Sequence, residues 1–187
     1  MTFTLPQENQ WGLLLSHGFS TRFAGTWVEG DDPEYIARLL GADPNCRLDA
    51  DLNMAMRWYQ PYSTEEVIWI GDHAPGWTHF INISGLSGPV RNTGISGGRA
   101  FQVEWDEDVE GVHDLYCFID GVFAAELGAF SPEIVDPVFA PYAEGLAWKH
   151  GSDEQIANAF LTVVGRITGR FIDQEWINAT RSLYRIS

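Results

Sequence analysis

The spacing of apolar residues changes once along the chain, near residue 150, and this change limits the folds that the chain can adopt. Residues 99–127 alternate apolar with polar side chains in short runs, which is the pattern of half-buried β-strands. Residues 152–167 repeat apolar side chains at helical spacing instead. Because strands and a core helix occupy different parts of the chain, the sequence predicts an α+β fold with an antiparallel sheet rather than alternating βαβ units.

Six segments are predicted as strands because aromatic, β-branched or alternating apolar residues fill them. They are residues 23–28, 67–70, 77–83, 99–105, 115–120 and 121–127. Residues 71–76 include Pro75 and Gly76 and are predicted as the turn of a hairpin, and residues 85–98 are predicted as a glycine-rich loop. The segments from residue 67 onward are therefore expected to form a meander of four or five consecutive antiparallel strands.

Capping residues mark the expected helices. Asp32 and Pro33 begin an apolar segment that stops at Gly41, which predicts a helix of about two turns. Ser152 and Gln155 form a capping box in front of the long core helix. Residues 173–178 are predicted as a short helix and residues 182–186 as a closing strand. The whole chain, residues 1–187, is thus expected to be one α+β domain with helices packed on one face of a sheet.

The charge of the chain is strongly negative and unevenly distributed. There are 26 acidic and 11 basic residues, for a formal net charge of -15, and residues 100–165 contain 13 of the acidic residues but only one basic residue, Lys149. This balance argues against a nucleic-acid-binding surface. No apolar run approaches the ~20 residues of a membrane span, so no membrane partner is expected.

The N-terminus lacks the basic and apolar regions of a secretory signal, which predicts a cytoplasmic protein. The chain has two cysteines, Cys46 and Cys117, and neither has a second cysteine or a histidine at metal-ligand spacing. They are expected to be buried or partly buried free thiols. No cofactor is predicted.

The densest cluster of carboxylates follows the strand over residues 99–105. If Asp106 is taken as position 1 of an EF-hand loop, carboxylates occupy positions 1, 3, 5 and 9 and Gly111 occupies position 6. Position 12, however, is Cys117 instead of a glutamate, and the flanking segments are predicted strands instead of helices. Three interpretations stay open: a solvated hairpin tip, a loosely bound divalent cation, or an electrostatic recognition surface. Of the eight tryptophans, the two nearest to loops are expected to be exposed beside this cluster. The candidate binding residues are Asp106, Glu107, Asp108, Glu110, Asp114, Trp77 and Trp105.

Two other motifs suggest different chemistry. Ser96 stands in a G-x-S-x-G motif, and Asp136 and His150 follow it in the chain order of an α/β-hydrolase triad. A strand pattern follows this motif where the hydrolase elbow requires a helix, so a serine hydrolase is disfavoured. His73 and His79, together with Asp72, could supply zinc ligands, but a fourth ligand is absent and structural histidines are favoured.

Short motifs spread from about residue 19 to the C-terminus resemble an uncharacterised actinobacterial family described only as a domain of unknown function. The motifs are Thr26-Trp27-Val28-Glu29-Gly30, Leu40-Gly41-Ala42, Gly76-Trp77, Ile95-Ser96-Gly97-Gly98, Asp120-Gly121, Gly145-Leu146 and Thr168-Gly169-Arg170-Phe171-Ile172-Asp173. The resemblance implies one domain and carries no activity or catalytic residues.

The negative charge beside tryptophan-containing segments favours a non-enzymatic module that recognises a basic protein. An immunity or inhibitor protein that covers a basic toxin is one concrete form. A small-ligand or divalent-metal-binding domain is the alternative.

Overall fold

The computed structural model describes residues 4–85, 98–131 and 133–186. Its helices are α1 (Gln10–Ser16), α2 (Pro33–Leu39), α3 (Leu52–Ala55), α4 (Ala140–Ala143), α5 (Asp153–Thr168) and α6 (Gln174–Asn178). Its strands are β1 (Arg22–Glu29), β2 (Leu48–Ala50), β3 (Glu66–Ala74), β4 (Trp77–Ser84), β5 (Arg99–Asp106), β6 (Gly111–Val112), β7 (Leu115–Ile119), β8 (Val122–Leu127) and β9 (Arg181–Ile186). Short 3-10 turns occupy Pro44–Cys46 and Met56–Trp58.

The nine strands of the described residues belong to one antiparallel sheet, which confirms the expected α+β class and the single domain. The strand order is β2-β9-β3-β4-β1-β5-β7-β8, with β6 paired to β5. The first strand of the chain, β1, lies at the centre between β4 and β5. The last strand, β9, lies between β2 and β3. The first and the last strand in sequence therefore both lie inside the sheet. Because β1 separates β4 from β5, the strands do not form the predicted consecutive meander.

The main core lies on one face of the sheet. Trp27 stands opposite His79 on β4 and Phe101 on β5, and its ring is buried with the aromatic side chains of Phe160 in α5 and Trp176 in α6. Since successive strand residues point to opposite faces, Val28 faces the other side, where Ile36 and Ala37 of α2 cover it. Helices therefore pack on both faces, α2 on one and α1, α5 and α6 on the other, whereas the sequence predicted helices on one face only.

Local capping explains the helices predicted from sequence. The Asp32 side chain accepts a hydrogen bond from the Tyr35 N–H at the start of α2. At the start of α5, the Ser152 hydroxyl accepts a hydrogen bond from the Gln155 N–H, and the Gln155 side chain accepts one from the Ser152 N–H. Gly169 ends the helix with a left-handed φ of 87°. These contacts involve residues only a few positions apart, so the sequence pattern predicted both helices correctly.

The hairpin of β3 and β4 is tighter than predicted. β3 continues to Ala74 through an irregular register between Asp72 and Ala74, and only Pro75 and Gly76 form the turn. Cys117 is a buried free thiol, as expected, whereas Cys46 is exposed. Within the described ranges, no helix has the length and apolar character required to cross a bilayer.

Candidate functional site

The acidic cluster forms a tight turn between β5 and β6. The carbonyl oxygen of Asp106 accepts hydrogen bonds from the N–H groups of Val109 and Glu110, and its Oδ1 accepts one from the Asp108 N–H at 3.0 Å. The Glu107 N–H donates to the carbonyl oxygen of Thr21 at 2.9 Å. The turn is thus held by its own backbone and by the segment that precedes β1.

A buried arginine supports this turn from below. The guanidinium of Arg22 lies 3.0 Å from Oε1 of Glu104 and 3.9 Å from Oδ2 of Asp106, and all three residues are buried. Arg22 also donates to the carbonyl oxygen of Pro61 at 3.0 Å. Since an isolated buried charge is costly, the two carboxylates and the arginine stabilise each other as one internal group.

Tyr62 connects the buried group to the exposed turn. Its hydroxyl lies 2.9 Å from Oδ1 of Asp106 and 3.1 Å from Oδ2 of Asp108, and it shares its one proton between them. The hydrogen bond to Asp106, burial of the hydroxyl and the hydrogen bond to Asp108 raise the pKa of Tyr62. The hydroxyl therefore stays protonated and keeps Asp108 in a defined position, while nearly half of the Tyr62 side chain is exposed.

The structure divides the predicted binding residues into three groups. Glu107, Asp108 and Glu110 are exposed at the turn. Asp114 is half-buried, and its carboxylate accepts a hydrogen bond from the Ala129 N–H at 2.8 Å. Asp106 is buried with Arg22, so the expectation that it presents a carboxylate to solvent is wrong.

The expectation that Trp77 and Trp105 are exposed is also wrong, since their exposed fractions are 6% and 1%. Trp105 stacks on Phe23 at a ring distance of 4.4 Å and donates its indole N–H to the carbonyl oxygen of Phe19. Both tryptophans point to the core face of the sheet, because their strand positions decide the direction of the side chain.

The segment before β3 carries two exposed aromatic residues, Trp58 and Tyr62, which the sequence patterns did not indicate; Tyr35, Phe123 and Phe130 are exposed elsewhere. Trp58 and Tyr62 flank Pro61 in the segment between α3 and β3. A proline with polar Gln60 and Ser63 within two residues is a loop signal, and this signal could have indicated that Trp58 and Tyr62 are exposed. The contact of Tyr62 with Asp108, however, joins residues far apart in sequence.

The two histidines considered as zinc ligands lie in the core. The Trp176 indole N–H donates to Nδ1 of His73 at 3.0 Å, and Nε2 of His73 lies 2.9 Å from the Thr168 hydroxyl. Burial lowers the pKa of His73 to about 3, so its imidazole is neutral. Both ring nitrogens of His73 are engaged, Asp72 is exposed, and the described residues contain no group of three potential ligands placed to hold a metal.

His79 is completely buried against the rings of Trp27 and Trp176, and neither of its nitrogens has a hydrogen-bond partner among the described residues. Burial lowers the pKa of His79 well below its usual value. The nearby guanidinium of Arg181 lies between the rings of Trp69 and Trp176, at 5.0 and 4.9 Å. These side chains are buried and pack against one another in the core of the described residues.

The hydrolase motif is not assembled into a triad by the described residues. Ser96 lies outside the described ranges. The carboxylate of Asp136 accepts a hydrogen bond from the Val138 N–H, where it caps the turn before α4. His150 is exposed in a left-handed conformation with φ of 55°.

Comparison of the chain with protein-family models, curated proteins and solved structures found no match. The resemblance drawn from short motifs therefore stays a prediction.

Proposed function

We propose that the chain is a non-enzymatic recognition module that binds a basic partner protein. The acidic turn, defined as residues 107–110 with Tyr62, would be its contact surface. The observation that carries this proposal is the support beneath the turn: three exposed carboxylates project from a backbone that Arg22, Thr21 and Tyr62 hold in place. A surface that is already ordered loses little conformational entropy when it binds.

The charge distribution supports a basic partner. Arg22, beneath the turn, is paired internally with Glu104, so it does not offset the charge of Glu107 and Glu110 at the surface. A chain with a formal net charge of -15 attracts a cationic protein over a distance limited by the salt concentration. A cytoplasmic immunity or inhibitor protein that covers a basic toxin is one form of such a partnership.

A divalent-cation site is the weaker alternative. Tyr62 and backbone N–H groups already occupy oxygens of Asp106 and Asp108, which a calcium ion would need as ligands. The present geometry uses these oxygens to organise the turn.

We expect neutralisation of the acidic turn to slow association. The partner would be captured from host lysate at low salt, purified, and tested against E107Q/D108N/E110Q by stopped-flow or surface plasmon resonance. The association rate constant should fall by about tenfold and lose most of its salt dependence, since rim charges act mainly on encounter. The fold should be retained, because the three like charges repel each other and an amide oxygen at position 108 can still accept the hydrogen bond from Tyr62.

The matched control is E65Q/D72N/E175Q, which removes the same number of exposed carboxylates from other parts of the surface. It should retain most of the association rate. Equal rates for the parent protein and the acidic-turn variant would contradict the proposal, as would an equal loss in both variants, which would indicate a response to net charge alone.

A further inference from the structure

The outer edge of β8 is open to solvent. β8 is the last strand in the sheet order, and no strand of the described ranges pairs with its outer side. Val122 and Phe123 are 68% and 52% exposed, and Ala124 is exposed as well. Edge strands usually avoid aggregation through short length, charged side chains or proline. The first four residues of β8, Val-Phe-Ala-Ala, contain neither a charge nor a proline.

The opposite edge of the sheet is protected in the usual way. β2 has only three residues, and the central one is the charged Asp49. Leu48 is exposed on β2, but of the two terminal strands only β8 presents several consecutive uncharged residues at its edge.

A groove of about 670 Å³ runs along β8, between this strand and residues 128–131 and 133–137. Its apolar side chains are Phe123, Phe130 and Ile134, and the latter two are 70% and 87% exposed. The hydrogen bond from the Ala129 N–H to the Asp114 carboxylate holds the start of the second wall in place. The groove thus combines an unpaired strand edge with exposed apolar surface.

The charged side chains of the groove are all acidic: Asp114, Glu126, Glu133 and Asp136. Glu133 is paired at 2.8 Å with Lys149, while Glu126 has no ion-pair partner among the described residues. The groove therefore keeps a net negative charge next to apolar side chains. A ligand segment that is complementary to this groove carries both basic and apolar side chains.

A second copy of the chain fits this edge poorly. Pairing of two β8 strands about a two-fold axis would bring the acidic side chains of both grooves together, in two chains that each carry a formal net charge of -15. Like charges placed opposite each other are unfavourable. A basic partner meets no such repulsion.

We propose that the outer edge of β8 docks an extended segment of a partner protein in which basic and apolar side chains alternate. The segment would add a strand to the sheet, with its backbone on β8 and its apolar and basic side chains against the exposed apolar and acidic side chains of the groove. This inference rests on the proposed function, since it names a second contact surface for the same kind of partner.

The test uses a labelled, end-blocked peptide of sequence Lys-Val-Lys-Phe-Lys-Val-Lys-Phe. Two control peptides replace either all lysines by glutamate or both valines by proline, which removes backbone donors. Fluorescence anisotropy should detect binding of the first peptide only. Hydrogen exchange in the full chain should slow by about tenfold at residues 122–127 when that peptide is bound.

The variant V122K/F123K should weaken peptide binding by at least about tenfold, because it places two positive charges at the edge. The matched control L48K/M54K adds the same charge at exposed apolar positions near the opposite edge and should bind the peptide almost as the parent does. Absence of β8 protection, or an equal loss of binding in both variants, would overturn the inference. A dimer that V122K/F123K converts to a monomer would overturn it too, since a second copy would then be the occupant.

The two proposals can fail separately. If the acidic-turn variant slows capture of the natural partner while V122K/F123K leaves its affinity unchanged, the docking edge is wrong and the proposed function stands. If neither variant changes binding of that partner, both proposals are wrong.

Discussion

The free energy of unfolding is expected to fall steeply between pH 6.5 and about pH 3, because the buried histidines resist protonation. Burial lowers the pKa of His73 from 6.5 to about 3 and that of His79 well below 6.5. In this window the unfolded chain binds protons that the folded chain excludes, so stability is fully present above pH 6.5 and is lost as the pH falls. Each buried histidine should lower the free energy of unfolding by about 1.4 kcal/mol for each pH unit below 6.5.

Urea unfolding monitored by tryptophan fluorescence at pH 7, 6 and 5 measures this slope. The two histidines together should remove about 4 kcal/mol between pH 7 and pH 5. The variant H79F keeps a flat ring but cannot be protonated, so its slope should be close to half that of the parent. The control H150Q alters an exposed histidine and should keep the parental slope. A parental slope in H79F would show that His79 is not buried as a neutral imidazole.

The variant R22M is expected to lose about 3–5 kcal/mol of unfolding free energy, the cost of removing one partner from a buried ionic group. It leaves Glu104 and Asp106 buried without the guanidinium that lies 3.0 and 3.9 Å from them. Asp106 directly precedes the acidic turn and accepts hydrogen bonds from its backbone, so this variant should also reduce binding of the basic partner. Equilibrium unfolding at pH 7 measures the loss.

The surface variant R185M is the matched control, since Arg185 is exposed and lies 3.9 Å from Glu65. Its loss should stay within about 1 kcal/mol, as is usual for exposed ion pairs. The double variant R22M/E104M should recover part of the loss, because it also removes a buried carboxylate. If R22M were as stable as R185M, the ionic group beneath the turn would carry little of the fold's stability.

Several parts of the candidate site could be predicted from sequence and others could not. The run of carboxylates at Glu107, Asp108 and Glu110 was visible, and it is exposed because turn residues after a strand generally face solvent. The inward direction of Asp106 depends on Arg22, which is distant in sequence and adjacent only in the sheet. Trp77 and Trp105 were predicted to be exposed because they are close to loops in the sequence. Both are buried, because they lie on the face of their strands that packs into the core.

The sequence by itself determined the elements whose stabilising contacts are local: α2, α5 and the alternating strands, together with the acidic character of residues 100–165. Only the tertiary structure decided the central position of β1, the neutral histidines beside Trp176, and the open edge of β8. The reason is physical. Caps and periodicity act over a few residues, whereas strand order, ion pairing and burial depend on segments that meet only when the sheet has formed.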